Sequence, residues 1–438
     1  MNYLEDIRAY SSEPQKLEEL YQQAVQTGKT VEFENDLIDC YQAAPENLLF
    51  QAWYYRFHTP IRPLSERKIT GPNWKAAIPL AILNGLLFWA LSEPSWQFVR
   101  TIPYLMILAG PLAAILVIAF LTLTSRQRVR RALITSGALV LASLYVLWAV
   151  PNMPRTYHEH AAILLMLHLA LLAWIAVGIT LIGIRSSSAE RFGFLIKSLE
   201  VFITGGLYGM AIGAFSGITM GMFAALGIEL SEIAVRFLVA GGAGLVPVIA
   251  VASIYDPRFS PFNQDFRQGL SRFIANMMRL LLPLTLLVLI IYLGFIPFNF
   301  MQPFQNRDVL IIYNAMLFAI MALLVGATPI RLEDLTPQQQ KLIRGSLLTI
   351  AILAILISLY ALSAIVYRTV RDMVTINRLA VIGWNTINIL LLVTLVLRQF
   401  RRSQETWVAS MYRVFGLGAI LYTSWGLFIL LAVPIFFR

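Results

Sequence analysis

Apolar residues recur in eleven long runs between Trp74 and the end of the chain. A bilayer core of about 30 Å needs roughly 20 apolar residues in helical form, and a helix is required because lipid offers backbone amide groups no hydrogen-bond partner. The pattern predicts an all-α fold, a polytopic helical membrane protein with about 11 transmembrane helices. The predicted spans are residues 75–94, 102–124, 132–150, 160–184, 198–226, 232–254, 273–297, 309–329, 341–366, 379–398 and 411–437.

Residues 1–57 show a different pattern, with apolar and aromatic residues at spacings of three and four, which indicates three amphipathic helices within residues 16–58. The segment is acidic and opens without the apolar run of a signal peptide, so it is expected to stay in the cytoplasm. We predict a helical cytoplasmic domain over residues 1–57, a linker over 58–73 and a transmembrane helical domain over 74–438. Three short helices bury little surface, which favours docking on a cytoplasmic protein partner or on the transmembrane domain.

Composition supports lipid as the main solvent. The chain has 438 residues, of which 58% are hydrophobic and only 13% charged, whereas a soluble domain carries about 25% charged residues. The formal charge of +10 comes from basic residues in short loops beside the apolar runs, which is how membrane proteins use them, so no nucleic-acid partner is expected. The single cysteine, Cys40, excludes an internal disulfide framework.

The loops carry lysine and arginine unequally. Loops on one side of the predicted membrane domain hold about three times as many cations as those on the other. Because cytoplasmic loops carry the excess, we predict a cytoplasmic N-terminus and a C-terminus outside. The exception is the stretch 367–378 on the outer side, where Arg368, Arg371 and Arg378 lie close together.

This polar stretch joins the ninth and tenth predicted spans and favours a ligand site. Arginine offers planar donors for carboxylate or phosphate, Asp372 is expected to orient the guanidinium groups, and Thr375 can cap the next helix. Asn385 and Asn388 would extend the site toward the membrane interior. The predicted ligand-binding residues are Arg368, Arg371, Asp372, Thr375, Asn377, Arg378, Asn385 and Asn388.

Five glycines recur every fourth residue in the fifth predicted span, and they are Gly205, Gly209, Gly213, Gly217 and Gly221. Small residues at this spacing let membrane helices approach closely, so they are predicted helix-packing residues, with Gly241, Gly242 and Gly244 of the sixth span opposite them. A sliding or gating interface and a homodimer seam are the alternatives, and the second would make the chain an oligomer.

Other polar residues give weaker signals. His158, Glu159, His160 and His168 have no spacing typical of a metal site, so solvated loop positions are expected. Glu232 and Arg236 lie one helical turn apart, and an ion pair between them is available.

No motif of serine hydrolases, phosphate-binding loops or zinc proteases occurs in the sequence. We therefore predict no catalytic residue, no metal ligand and no cofactor. An intramembrane enzyme acting on lipid-linked substrates is the weakest of the functional alternatives.

The octapeptide RDMVTINR, residues 371–378, resembles the pattern R-x-G-[LV]-T-x-N-R of a family of bacterial multi-spanning membrane proteins, domain of unknown function 4153. Met373 replaces the glycine of that pattern, so the turn is expected to differ. The apolar span, proline-bearing loop and next span of residues 284–314 are also similar to the family, and the resemblance covers about residues 280–400. It implies placement in the bacterial cytoplasmic (inner) membrane and implies no activity.

Two functional hypotheses follow from these patterns. The first is a permease or channel-like protein with an outward-facing, arginine-rich site for a small anion or a lipid headgroup. The second is a non-transporting scaffold or sensor that recruits a cytoplasmic partner through residues 1–57. Membrane lipids are expected partners in both.

Overall fold

The structure is a computed structural model, and it describes residues 3–26, 29–58, 72–99, 102–266, 269–330, 332, 335–400 and 406–437. The chain divides into two compact units, residues 1–71 and 72–438. The linker predicted at residues 58–73 falls almost entirely on 59–71, which lie outside the described residues.

The first unit contains four helices: α1 Tyr3–Ala9, α2 Pro14–Gln26, α3 Thr30–Ala43 and α4 Leu48–His58. The sequence pattern predicts the last three, and α1 is an addition. Tyr3 and Ile7 lie one helical turn apart and are fully buried, in the same core as Phe33, Leu37 and Trp53. The unit therefore has a hydrophobic core of its own.

The second unit is built of membrane-length helices. Eleven helices among the described residues are long and apolar enough to cross a bilayer, which confirms the predicted all-α polytopic fold. The elements are α5 Trp74–Leu91, α6 Tyr104–Ser125, α7 Val129–Ala149, α8 His158–Ile182, α9 Ser188–Ala225, α10 Glu232–Arg236, α11 Gly242–Ile254, α12 Gly269–Phe295, α13 Gln302–Gln305, α14 Arg307–Ala327, α15 Pro337–Asp372, α16 Ile376–Phe400 and α17 Trp407–Phe436.

Shorter elements complete the unit. A π-helical turn, Phe237–Gly241, joins α10 to α11, so that the two helices form the sixth span. Strands β1 Gln97–Val99 and β2 Ile102–Pro103 pair antiparallel between α5 and α6. Single 3-10 turns occupy Val150–Asn152, Pro261–Asn263 and Ile296–Asn299.

The outer surface of the bundle is apolar. On α12, Leu280, Leu284, Val288 and Ile291 follow one another at helical spacing and are between 51% and 68% exposed. A continuous exposed stripe of this kind would be an aggregation hazard in water. It is the expected surface of a helix whose solvent is lipid.

The buried core lies around α15 and in the neighbouring helices. One cluster contains residues of α15 and of α9, α12, α14, α16 and α17. A second cluster contains residues of α5, α6, α7, α8, α9 and α11. A third cluster connects α6, α7 and α8 to α16 and α17. Helices α8 and α16 meet at this third cluster, and the candidate site described below lies at one end of it.

The glycine stripe of α9 packs against the sixth span only at its start. A Cβ atom added at Gly205 would lie 3.5 Å from Val246, whereas no atom of a described residue lies within 4 Å of one added at Gly209, Gly213, Gly217 or Gly221. The reason is helical geometry, because steps of four residues rotate by about 40° each on a helix of 3.6 residues per turn. The stripe therefore winds away from α11.

The glycines of the sixth span mainly pack against the first span. A Cβ atom added at Gly244 would lie 2.8 Å from the carbonyl oxygen of Asn84, and one added at Gly85 would lie 2.8 Å from that of Gly241. Gly242 alone approaches α9, where it contacts Ile212. Gly241 and Gly244 therefore pack against α5, whereas the sequence predicted that they would pack against α9.

Arg236 pairs with a different residue from the one the sequence suggested. Its guanidinium bonds Glu93 at 2.5 Å and donates to Ser92 Oγ at 3.1 Å and to the carbonyl oxygen of Trp89 at 3.0 Å. These groups lie at the end of α5, where backbone carbonyls lack helical partners and favour a cation. The expected pair with Glu232 is therefore not formed.

Candidate functional site

A cavity of about 430 Å³ lies at the end of the bundle where α15 turns into α16. We call it the arginine cavity. Its walls come from α8, α14, α15, α16 and the two residues before α8, and its lining residues are Thr156, Tyr157, His160, Leu164, Leu310, Ile311, Asn314, Ile365, Arg368, Thr375, Ile376, Asn377, Arg378 and Val381.

The turn between α15 and α16 is sharp. Helix α15 ends at Asp372 and α16 begins at Ile376. Met373 follows α15 with φ +80° and ψ 161°, a backbone region that is occupied almost only by glycine. The hydroxyl of Thr375 accepts from the backbone N–H of Arg378 at 3.3 Å and caps the first turn of α16.

The guanidinium of Arg378 is fixed by this turn. It donates to the carbonyl oxygens of Arg368 at 3.0 Å and Met373 at 2.8 Å, and to Asp372 Oδ2 at 3.0 Å. Asp372 therefore orients Arg378, and its carboxylate balances that charge. Arg371 is a weaker partner, because its Nε lies 3.6 Å from Asp372 Oδ1 and its side chain is 71% exposed.

Arg368 differs from both. It lies one turn before the end of α15, lines the cavity, and its Nη1 atom is buried without a hydrogen-bond partner among the described residues. Because a guanidinium stays protonated in proteins, Arg368 brings a positive charge to the cavity wall, and its Nη1 atom is a buried donor with no partner among the described residues.

The cavity lining is positive. Arg368 and Arg378 belong to it together with His160, whereas no aspartate or glutamate is found among the lining residues that the structure describes. Asp372 balances Arg378, whereas Arg368 forms no ion pair with any residue whose side chain the structure describes. The remaining polar wall consists of hydroxyl and amide groups, and the rest is aliphatic.

The predicted site residues divide into two sets. Arg368, Thr375, Asn377 and Arg378 line the arginine cavity. Arg371 and Asp372 lie at the turn outside the lining, and Asn385 and Asn388 lie deeper in α16, buried to 2% and 0% exposure. The prediction that the two asparagines extend the site inward stays a prediction at this point.

The residues of the opposite wall were not predicted from the sequence. Thr156, Tyr157, His160 and Asn314 reach the cavity from α8, α14 and the segment before α8. Tyr157, His160 and Leu164 follow one another at spacings of three and four and therefore share one helix face. This partly polar face at the start of a span was the only sequence feature that indicated a site residue here. Which distant helix this face meets cannot be derived from spacing within one helix.

The four residues expected at solvated loop positions all lie in α8, and only Glu159 and His160 among them are exposed. His160 lies in the first turn of α8 and lines the cavity. His168 is within α8 and only 5% exposed, with Nδ1 2.8 Å from the carbonyl oxygen of Leu164 and Nε2 3.1 Å from Trp384 Nε1. Within the described part of the chain, no group of three or more His, Cys, Asp or Glu residues is arranged to hold a metal ion.

A second buried charged cluster lies at the opposite end of the bundle. Lys197 Nζ bonds Glu200 Oε2 at 2.7 Å, Ser271 Oγ at 3.0 Å and the carbonyl oxygen of Asp265 at 3.1 Å. Ser271 in turn donates to Glu200 at 2.6 Å. All three ammonium hydrogens are used, so this cluster offers a ligand no free lysine donor, unlike Arg368.

Comparison with protein-family models, curated proteins and solved structures found no match for this chain. The resemblance of residues 371–378 to a bacterial family therefore remains a prediction. The protein is a multi-spanning helical membrane protein, and its cavity has to be interpreted from its own geometry.

Proposed function

We propose that the arginine cavity binds an anionic group, phosphate or carboxylate, and that the protein is a permease or channel-like protein for small anions or anionic headgroups. The observation that carries the proposal is the buried Nη1 atom of Arg368, which has no protein partner among the described residues. Leaving such a donor unpaired costs about 1–3 kcal/mol, and an oxyanion would remove that cost.

The fixed geometry of Arg378 also supports an anion. Three bonds to one turn hold its guanidinium in place, so little side-chain entropy is lost when a ligand arrives. Asn377, Thr375 and His160 add polar groups around the same space. These side chains bring several possible hydrogen-bond donors into the lining of one cavity, and a phosphate or carboxylate requires several donors.

The size and apolar walls agree with a small organic anion or a headgroup. A cavity of about 430 Å³ falls within the usual range of small-molecule sites. Leu164, Ile365 and Val381 provide an aliphatic inner wall. A free phosphate would use only the arginine side, whereas an anionic lipid would also place its glycerol or acyl carbons against this wall.

The decisive test compares Arg368→Gln with Arg371→Gln, because both changes remove one positive charge from the same helix end. Thermal stability of the purified full chain is measured with inorganic phosphate, and separately in nanodiscs of phosphatidylglycerol or phosphatidylcholine. We expect wild type and Arg371→Gln to be stabilised by the anionic additive and Arg368→Gln not to be. Equal responses of all three proteins would overturn the anion site.

The two arms separate the sources of the anion. Stabilisation by inorganic phosphate indicates a soluble ligand, and stabilisation only by phosphatidylglycerol indicates a headgroup. Uptake of the stabilising anion into proteoliposomes, present for wild type and lost in Arg368→Gln, then tests transport.

A scaffold or sensor is the second candidate, and the independent core of residues 3–58 favours it. A domain with its own core can bind a cytoplasmic protein without the transmembrane unit taking part. Deleting residues 1–57 separates the candidates, since a permease keeps uptake and a scaffold loses the protein that co-purifies with it. Retained uptake in the deletion variant would contradict an essential scaffold role.

A further inference from the structure

A group of buried polar side chains lies below the arginine cavity. The deepest lining positions along three of its helices are Leu164 on α8, Ile365 on α15 and Val381 on α16. We call these three residues the apolar floor. One turn further along α16 is Asn385, and one turn further along α8 is His168, so both follow the floor on the same helix faces.

The buried group is neutral. The indole N–H of Trp384 can only donate, so His168 Nε2 accepts it at 3.1 Å and Nδ1–H donates to the carbonyl oxygen of Leu164 at 2.8 Å. That bonding fixes an uncharged imidazole. Tyr422 of α17 donates to Asn388 Oδ1 from the other side.

Two amide NH2 groups have no partner among the described residues. Asn385 is 2% exposed and Asn388 is not exposed at all, and Nδ2 of each has no hydrogen-bond partner within the described part of the chain. Buried polar groups in proteins are almost always paired, and lipid makes an orphan donor costlier. Two neighbouring orphan donors on one helix face therefore indicate a ligand that accepts hydrogen bonds.

The charge pattern selects an anion over a cation. The sequences of α16 and α17 contain no aspartate or glutamate, and the only acid of α8 is Glu159 in its first turn. A cation at this depth would have no carboxylate from these three helices to balance it. An anion that has shed most of its water would find amide N–H donors in a region of low dielectric.

We propose that Asn385 and Asn388 form a second anion site, separated from the arginine cavity by the apolar floor, and that the two sites are successive positions on one path. This inference rests on the proposed function, because the arginine cavity supplies the anion. A neutral inner site suits passage, since an ion must bind weakly enough to leave. The apolar floor between the two sites acts as the barrier that an anion must cross.

The test uses Asn385→Leu with Asn388→Leu in the full chain, and Thr386→Val as the matched control. Thr386 is exposed on the same helix and bonds only its own backbone at Ile382. Two properties are measured for each protein: the thermal shift with inorganic phosphate, and the efflux of chloride, nitrate and phosphate from proteoliposomes. We expect the asparagine variant to keep the thermal shift and to lose anion efflux by about tenfold or more, with Thr386→Val unchanged in both.

The outcomes distinguish the two proposals. Unchanged efflux with an intact thermal shift would overturn the inner site and leave the arginine cavity standing. No efflux from wild type would also overturn it, whereas no thermal shift in wild type with either inorganic phosphate or phosphatidylglycerol would overturn the arginine cavity. A further test treats Asn388→Cys, in a Cys40→Ala background, with an anionic or a cationic methanethiosulfonate. Efflux that is lost faster with the anionic reagent supports an anion path, and efflux that is lost faster with the cationic reagent opposes it.

Discussion

Arg368 and Arg371 are three residues apart on α15, yet only the first lines the cavity. The difference arises because the helix ends one residue after Arg371, at Asp372, and its last side chains extend beyond the packed bundle. A guanidinium at 71% exposure contributes little beyond long-range charge. At the scale of single residues, function depends on which donors are left unpaired.

Met373 is strained by the turn that fixes Arg378. Its φ of +80° lies in the region where a Cβ atom is disfavoured. We predict that Met373→Gly raises the free energy of unfolding by about 1 kcal/mol, because the relief of strain exceeds the extra entropy of glycine in the unfolded chain. Denaturant titration of the purified protein measures it.

Met373→Ala is the control for this prediction. Alanine retains the Cβ atom and should give no comparable gain, since Met373 is 79% exposed and loses little packing. An equal gain for both variants would show that the methionine side chain, and not the backbone, is unfavourable.

The sequence predicted one wall of the site better than the other. Arg368, Thr375, Asn377 and Arg378 belong to one turn and are close by covalent connection. His160 and Asn314 come from helices far away in sequence, and a single sequence contains no information on that pairing. Whether an arginine side chain faces the cavity or the solvent depends on the rotation of its helix about the helix axis. The sequence of the polar loop does not specify that rotation.

At the scale of helices, close packing depends on where small residues meet another backbone. Gly244 and Gly85 let α11 and α5 approach until Asn84 Nδ2 donates to the carbonyl oxygen of Gly244 at 2.7 Å. The longer and more regular stripe on α9 makes no such approach beyond Gly205. The spacing of glycines in the sequence identifies helix faces made of small residues, but the rotation of each helix determines which of these faces packs against another helix.

We predict that Gly244→Ala lowers stability and that Gly217→Ala does not. The added methyl group at residue 244 would lie 2.8 Å from the backbone of α5, and backbone cannot rotate away as a side chain can, so a loss of about 1–3 kcal/mol is expected. At residue 217 nothing lies within 4 Å, and alanine favours the helix over glycine. Thermal unfolding in detergent compares the two variants.

Equal losses at both positions would show that α9 is covered along this stripe. Size-exclusion chromatography of Gly217→Leu adds a separate readout of the homodimer alternative. A fall in particle size would indicate a seam between two copies of the chain, and an unchanged size would remove the stripe from that role.

At the scale of the whole molecule, the function of the cavity depends on which side of the membrane it faces. The eleven spans place the turn at Met373 and the loop at Gln127 at opposite ends of the bundle. The distribution of basic residues favours the outside for the first and the cytoplasm for the second. Both residues are exposed, so each is accessible to a labelling reagent.

We predict that a membrane-impermeant maleimide applied to intact cells labels Met373→Cys and spares Gln127→Cys. Burial raises the pKa of the Cys40 thiol, which keeps it protonated near neutral pH and slow to react, and Cys40→Ala removes it altogether. Labelling of Gln127→Cys alone would place the arginine cavity on the cytoplasmic side and reverse the direction of the proposed path.

The Lys197–Glu200 pair has a consequence for how the chain enters the membrane. Its two members lie within one turn of α9, so the ammonium and carboxylate can neutralise each other as soon as that turn forms during synthesis. Residues 265 and 271 leave the ribosome later and join the pair afterwards. We therefore expect this part of α9 to enter the membrane without net charge. Glu200→Gln would leave a lone ammonium, and its defect would arise during biogenesis, before the helices assemble.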